Sequence, residues 1–321
     1  MNVLKQYSSV YNNPIIIDTD AGADDIVALY TGIKANLPIQ SIVTTYGNYS
    51  RKIVERRIST LLTKLKSNIP INAGESQPLH ERYDESYSVH GPPEQFLTKF
   101  YFTRPNTTNS PLVFPTNPTT YITLGPLTSL AKALQTGKPH NITKIIIIGG
   151  ALMYPGNATP YAEANFFWDP DAARIVLNAG IPIELIPLNI TDTLDIRIAA
   201  FKTMGLPSFI TNLITEYENF YEQKKQHVYK TYINKKATRF HGGAYHDLVA
   251  ILRLISPSTV PCKKQAISIT EINHTRGHIT PILRGEPMNS NQHTVISVAY
   301  NLNVKLAHKT LRSIYRQRYS Y

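Results

Sequence analysis

The sequence offers almost no thiol chemistry. Cys262 is the single cysteine among 321 residues, so no intrachain disulfide can form and a reducing compartment is expected. No apolar run approaches the roughly 20 residues that a membrane span requires. The amino-terminal stretch MNVLKQYSSVYNN lacks the apolar segment of a secretory signal, which predicts a cytoplasmic location. Acidic residues are also in deficit, with 22 Asp and Glu against 33 Lys and Arg and a formal charge of +11. Part of that excess lies in Arg51–Lys66. There Ile53, Val54, Ile58, Leu61, Leu62 and Leu65 fall at helical spacing, and Arg51, Lys52, Arg56, Arg57, Lys64 and Lys66 fill the remainder. The pattern predicts an amphipathic helix with a solvated basic face. A second basic group, Arg312, Arg316 and Arg318 with Tyr315, Tyr319 and Tyr321, lies near the end of the sequence. No nucleic-acid motif accompanies either group, so neither nucleic acid nor a membrane is expected as a partner.

Against that deficit, four aspartates crowd one short stretch. In PIIIDTDAGADDIVALY (Pro14–Tyr30) the β-branched run Ile15–Ile17 reads as a strand buried on both faces of a parallel sheet. It runs into Asp18, Asp20, Asp24 and Asp25, with Gly22 permitting a sharp turn among them. Ile26, Val27, Leu29 and Ile33 then mark the apolar side of a helix. Unpaired, such carboxylates repel one another and raise each other's pKa values. A divalent cation removes the difficulty, and an all-oxygen donor set without cysteine points to Ca²⁺ or Mg²⁺. In open α/β sheets the ligand site lies at the carboxyl ends of strands, where this turn would fall.

The same alternation continues along the chain. Ile39–Thr45, Ile69–Ala73, Tyr121–Leu124, Lys144–Ile148 and Ile181–Leu188 read as strands. Leu127–Leu134, Asp169–Ala179, residues 207–238 and Leu248–Ile255 read as helices, the second opened by an Asp cap followed by Pro. Residues 75–118 read as loops around a short helix near Glu94–Phe102. Short strands are expected from about Lys264 and a helix from about Val304. With no linker or repeat, residues 1–321 form one α/β domain, an open, mostly parallel β-sheet flanked by helices. Polar islands fall where its strands end: Asp18–Asp25, Gly47-Asn48, Leu124-Gly125, Gly149–Asn165 and His246-Asp247. Such a rim around a hard cation suits a polyhydroxylated ligand such as a sugar.

DTDAGADD resembles the Asp-x-Asp-Pro-Gly-x-Asp-Asp signature of the inosine–uridine-type nucleoside hydrolases. The segments YGNYS, ITLGPLTSLAKAL, IGGALMYPGNATPYAEANFFWDPDAA and AYHDLVA resemble that family in the same order. The resemblance covers roughly residues 14–260. It implies a Rossmann-like fold, a Ca²⁺ at the carboxyl end of the sheet, and hydrolysis of the N-glycosidic bond of ribonucleosides, as in nucleoside salvage. It implies Asp20 as Ca²⁺ ligand and general base, with Asp25, Asp247 and the Leu124 carbonyl completing the metal set and Asp18 supporting them. Asp24, Asn48 and Asn165 would hold the ribose 2′- and 3′-hydroxyls, and Asn157 and Glu163 the 5′-hydroxyl. His246 matches the position that protonates the leaving base in some members, and a homodimer or homotetramer is implied. SVHGPPEQF resembles a mobile active-site loop in which His90 would face the base. Tyr229, His241 and Tyr245 are further base-pocket candidates. Phe166, Phe167 and Trp168 are expected to pack the core. Ala21 stands where the family's signature has Pro.

Two other readings compete. A haloacid-dehalogenase-type phosphohydrolase would use Asp18 as nucleophile with Mg²⁺, but leaves Asn157, Glu163, Asn165 and His246-Asp247 unexplained. A catalytically silent nucleoside-binding protein on the same scaffold would keep the site and lack turnover.

Overall fold

The computed structural model describes residues 13–80, 108–111, 115–137, 140–196, 198–228, 243–282 and 293–316. His90, Tyr229, His241 and the helix expected near residues 94–102 lie outside these. Twelve strands are seen among the described residues: β1 (Ile15–Thr19), β2 (Ile39–Thr44), β3 (Ile71–Ala73), β4 (Thr108–Pro111), β5 (Thr119–Thr123), β6 (Ile142–Ile148), β7 (Ile183–Ile186), β8 (Asp195–Ile196), β9 (Gly243–Ala244), β10 (Cys262–Ile269), β11 (Ile279–Pro281) and β12 (Thr294–Ala299). Ten of them form one sheet in the order β11-β10-β12-β7-β6-β5-β1-β2-β3-β4, and β8 pairs with β9 separately. Every pairing from β4 across to β12 is parallel. Only β10 runs against its neighbours, β11 and β12.

The topology explains where a site must form. From β1 the chain moves to β2 on one side and later returns to β5 on the other, so the strand order reverses at β1. A crevice opens at the carboxyl end of such a strand. Register brings Asp18 level with Val43 on β2 and Thr123 on β5. The residues that follow, Thr19 and Asp20, therefore sit at the rim of the sheet's centre.

Two apolar layers hold that centre in place. Ile15 and Ile17 pack on one face with residues of the Ala23–Lys34, Leu248–Ile255 and Val304–Tyr315 helices. Ile16, Ile145 and Ile147 pack on the other with the Thr128–Gln135 and Pro170–Leu177 helices. The alternation is the period-two pleat of a strand covered on both faces. Asp169 caps its helix as expected, its Oδ1 accepting from the Ala172 amide at 3.0 Å ahead of Pro170.

Several local expectations are corrected. Thr108–Pro111, read as loop, pairs in parallel with β3. The strand expected to reach Leu188 stops at Ile186, and Leu188–Thr191 turns helical. Of the helix expected over 207–238, Ser208–Val228 is helical and the remainder lies outside the described residues. The basic helix Arg51–Lys64 does not leave all its cations in solvent, because Arg57 is buried. Tyr315 is likewise buried, stacked on Tyr30 with ring centroids 5.9 Å apart. Among the described residues no helix is long and apolar enough to cross a membrane.

Candidate active site

The turn after β1 draws its shape from short-range hydrogen bonds. The Thr19 hydroxyl donates to Asp25 Oδ1, the Ala21 amide to Thr19 Oγ1 at 3.1 Å, and the Gly22 amide to Asp25 Oδ2 at 2.9 Å. Ala21 adopts φ +54°, left-handed backbone that L-residues seldom occupy. Proline, the family's residue in the signature the sequence resembles, could not hold that φ. Glycine at 47 is a requirement of space: a Cβ there would lie 2.0 Å from Asp20 Oδ2. That close approach lets the Asn48 backbone amide donate to Asp20 Oδ2 at 2.8 Å while its side-chain Nδ2 donates to Oδ1, also at 2.8 Å.

Asp24, Asp25 and Asp247 bring carboxylate oxygens within 4.8 Å of one another, and all three are buried. The first two come from the start of the Ala23–Lys34 helix and the third from the residue ahead of the Leu248–Ile255 helix. Burial and the adjacent Asp25 charge push the Asp24 carboxyl up to about 8. Burial, then Asp24 and Asp25, hold Asp247 well above the usual carboxylate range. Asp20 is raised by burial and by Asp25, although its two bonds from Asn48 pull the other way. Asp18 is raised chiefly by burial, against a hydrogen bond from the Tyr121 hydroxyl at 3.0 Å. A pocket of carboxylates that resist ionisation is the environment a hard, oxygen-seeking divalent cation relieves. The donor set therefore fits such an ion.

The family resemblance implied Asp20 as metal ligand and general base and Asp24 as a sugar contact. The structure groups Asp24 with Asp25 and Asp247 and leaves Asp20 beside that trio, engaged by Asn48. Leu124, at the end of β5, presents a carbonyl that accepts from Asn165 Nδ2 at 2.7 Å, and the same amide reaches the Ile148 carbonyl at 3.0 Å. Glu163 is buried and caps the Ala164–Trp168 helix. It accepts from the amides of Gly150 at 2.8 Å, Asn165 at 3.0 Å and Phe166 at 3.3 Å. Asn157 is exposed, and its Oδ1 takes the Ala164 amide at 2.9 Å. These three side chains thus brace the Gly149–Asn165 segment at the rim. Phe166 is core, as expected, whereas Phe167 and Trp168 are half-buried.

His246 is half-buried, with Nδ1 2.8 Å from Thr191 Oγ1 and 3.8 Å from Asp192 Oδ1. Tyr245, a base-pocket candidate, is instead buried against Phe201 and Tyr217 with its hydroxyl donating to Glu218 Oε1 at 2.8 Å. Sequence reasoning missed Tyr121, Thr191 and Arg57. A phenol in the middle of a short β-branched strand was a usable signal for the first. Nothing in the sequence linked Thr191 to His246, 55 positions away.

Comparison with known proteins places the chain in a family and a fold. The sequence model of a family described as inosine-uridine preferring nucleoside hydrolase matches residues 15–309. A pyrimidine-specific ribonucleoside hydrolase, RihA, of Salmonella paratyphi A is 30% identical over 280 residues, covering 82% of this chain and 86% of the relative. A solved plant nucleoside hydrolase superposes with a TM-score of 0.76 at 22% identity, covering 95% of this chain and 99% of its own. A purine-preferring ribonucleoside hydrolase from Gardnerella vaginalis gives 0.76 at 21% identity, covering 95% and 98%. At those identities the structural likeness speaks for the fold.

Proposed function

The chain belongs to the inosine-uridine preferring nucleoside hydrolase family and is an enzyme that hydrolyses ribonucleosides, and from that premise we propose that it does so with Ca²⁺ held by the carboxylates at the end of β1. The observation that carries the proposal is the convergence of Asp24, Asp25 and Asp247 within 4.8 Å, all buried, with Asp24 and Asp247 destabilised as anions by burial and by their neighbours. Asp20, Asp25 and Asp247 would hold the ion with the Leu124 carbonyl, and Asp24, which converges with Asp25 and Asp247, would lie between that site and the sugar hydroxyls. When bound, Ca²⁺ orients a water and lowers its pKa.

The chain's own residues supply the rest. Cleavage of the N-glycosidic bond develops oxocarbenium character at the ribose. Carboxylates that accept hydrogen bonds from the 2′- and 3′-hydroxyls increase electron density on the ring and favour that charge. Asp20, fixed by Asn48 through both oxygens, accepts the proton of the attacking water. Asn157 and Glu163 belong to the segment that frames the 5′ side of the sugar, and Asn165, at the end of that segment, serves the 2′- and 3′-hydroxyls with Asp24 and Asn48. His246, oriented through Nδ1 by Thr191, stands in reserve to protonate the departing base, work suited to a group with an unperturbed pKa near 6.5.

The test is release of ribose from uridine, cytidine, inosine and adenosine, before and after exhaustive chelation and after Ca²⁺ is restored. The pyrimidine-specific description of the Salmonella relative puts uridine and cytidine first. Turnover that survives chelation sinks the metal assignment. Asp20→Asn should bind nucleoside and turn it over at least a hundredfold more slowly, and unchanged turnover removes Asp20 from the base role. A parent protein that binds nucleosides and releases no ribose would be the silent binding protein. Nucleoside salvage, a cytoplasmic location and assembly as a dimer or tetramer complete the proposal, the last testable by light scattering.

A further inference from the structure

Among the described residues Arg57 is the only lysine or arginine that is buried outright, at 1% exposure. Its Nε donates to the Ala21 carbonyl at 2.7 Å, and its guanidinium lies 4.6 Å from the centroid of the Tyr49 ring. Nη1 and Nη2 have no hydrogen-bond partner among the described residues. A buried guanidinium with so few acceptors is costly unless it sits in a compensating field. The field is at hand: Asp18, Asp20, Asp24, Asp25 and Asp247 are all buried at the end of β1 and beside it. Tyr49 feels both charge systems. Burial raises its hydroxyl pKa, Arg57 draws it down, and Asp20, Asp24 and Asp25 push it further up.

The one strong bond Arg57 makes falls on the left-handed residue of the acidic turn. Ala21 stands between Asp20 and Gly22, whose amide in turn holds Asp25. Rotation of the Ala21–Gly22 peptide, which carries the Ala21 carbonyl, would release the Gly22 amide from Asp25. We propose that Arg57 is a positioning residue of the cation cradle: by holding the Ala21 carbonyl it keeps the Asp20–Asp25 turn in the shape that takes up the ion, and it is the buried countercharge of those carboxylates. This inference rests on the Ca²⁺ reading above and concerns a residue that touches neither ion nor substrate.

The experiment is isothermal calorimetry of Ca²⁺ with the full-length parent, Arg57→Met and Arg57→Gln, well below each melting temperature and with circular dichroism confirming the fold. Loss of a charged hydrogen bond to the turn should weaken Ca²⁺ affinity about tenfold or more in Arg57→Met. The Gln variant, which keeps a neutral donor and disturbs packing least, should lose more than threefold. The kcat for uridine should fall in step at subsaturating Ca²⁺ and recover at saturating Ca²⁺, with KM moving less. If the parent binds Ca²⁺ and a folded variant binds it within threefold, the metal reading stands and Arg57 is only a packing residue. If the parent takes up no Ca²⁺, both fall together. A lowered melting temperature by itself supports neither, because a structural role predicts it too, so the affinity decides.

Discussion

Replacing Asp24 with Asn should make the metal-free protein more stable while weakening its response to Ca²⁺. In the fold the Asp24 carboxyl titrates at about 8 against 3.8 for an exposed group, through burial first and the Asp25 charge second. Between those values the folded chain holds a proton that the unfolded chain releases. Stability from this group is therefore fully present below pH 3.8 and is lost as pH rises toward 8. The slope is about 1.4 kcal/mol per pH unit, on the order of 5 kcal/mol across the window. Asn carries no such titration, so in chelator the variant's advantage over the parent should widen by about 1 kcal/mol or more per pH unit between pH 5 and 7.5. Denaturant unfolding at several pH values, with chelator present, measures this directly. Ca²⁺ should narrow that gap. At a hundredfold excess over Kd, binding stabilises the parent by about 2.7 kcal/mol, while Asp24→Asn, missing one of three converging carboxylates, gains less. Parallel pH profiles for parent and variant in chelator would refute the argument, since they would mean that Asp24 ionises without strain in the folded chain.

Ala21→Gly should stabilise the protein by about 1 kcal/mol, because glycine occupies φ +54° freely, whereas Ala21→Pro should cost about 3 kcal/mol or more, both read by thermal melting. Thr191→Val removes the hydroxyl that meets His246 Nδ1. It should lower kcat on uridine about tenfold and leave hydrolysis of a nitrophenyl riboside, whose leaving group needs no proton, nearly unchanged; equal losses on both substrates would remove Thr191 from that role. Asn48→Ala strips the Nδ2 bond from Asp20 Oδ1 while sparing the backbone bond to Oδ2. It should reduce kcat about tenfold, with correct folding checked by circular dichroism.

The parallel sheet and the acidic turn were legible in the residues alone, because both arise from local rules. A β-branched run buried on both faces is apolar throughout, as Ile15–Ile17 and Ile145–Ile148 are. A helix announces its start with a cap, as Asp169-Pro170 does. The convergence of His246-Asp247 on Asp18–Asp25 was reached only through the ordered resemblance to a family, since nothing local joins segments more than 200 residues apart.

What tertiary structure decided is the employment of each polar group once neighbours from distant segments arrive. Asp24 joined Asp25 and Asp247 because one helix start faces another across the end of β1. Glu163 and Asn165 met backbone amides and carbonyls at the rim, since a buried loop must satisfy its own polar groups. Arg57, one cation among many in a basic helix, was drawn inside because the turn it covers carries the charge and the strained carbonyl that such a group can hold. Periodicity shows which face of an element turns inward; only packing shows what it meets there.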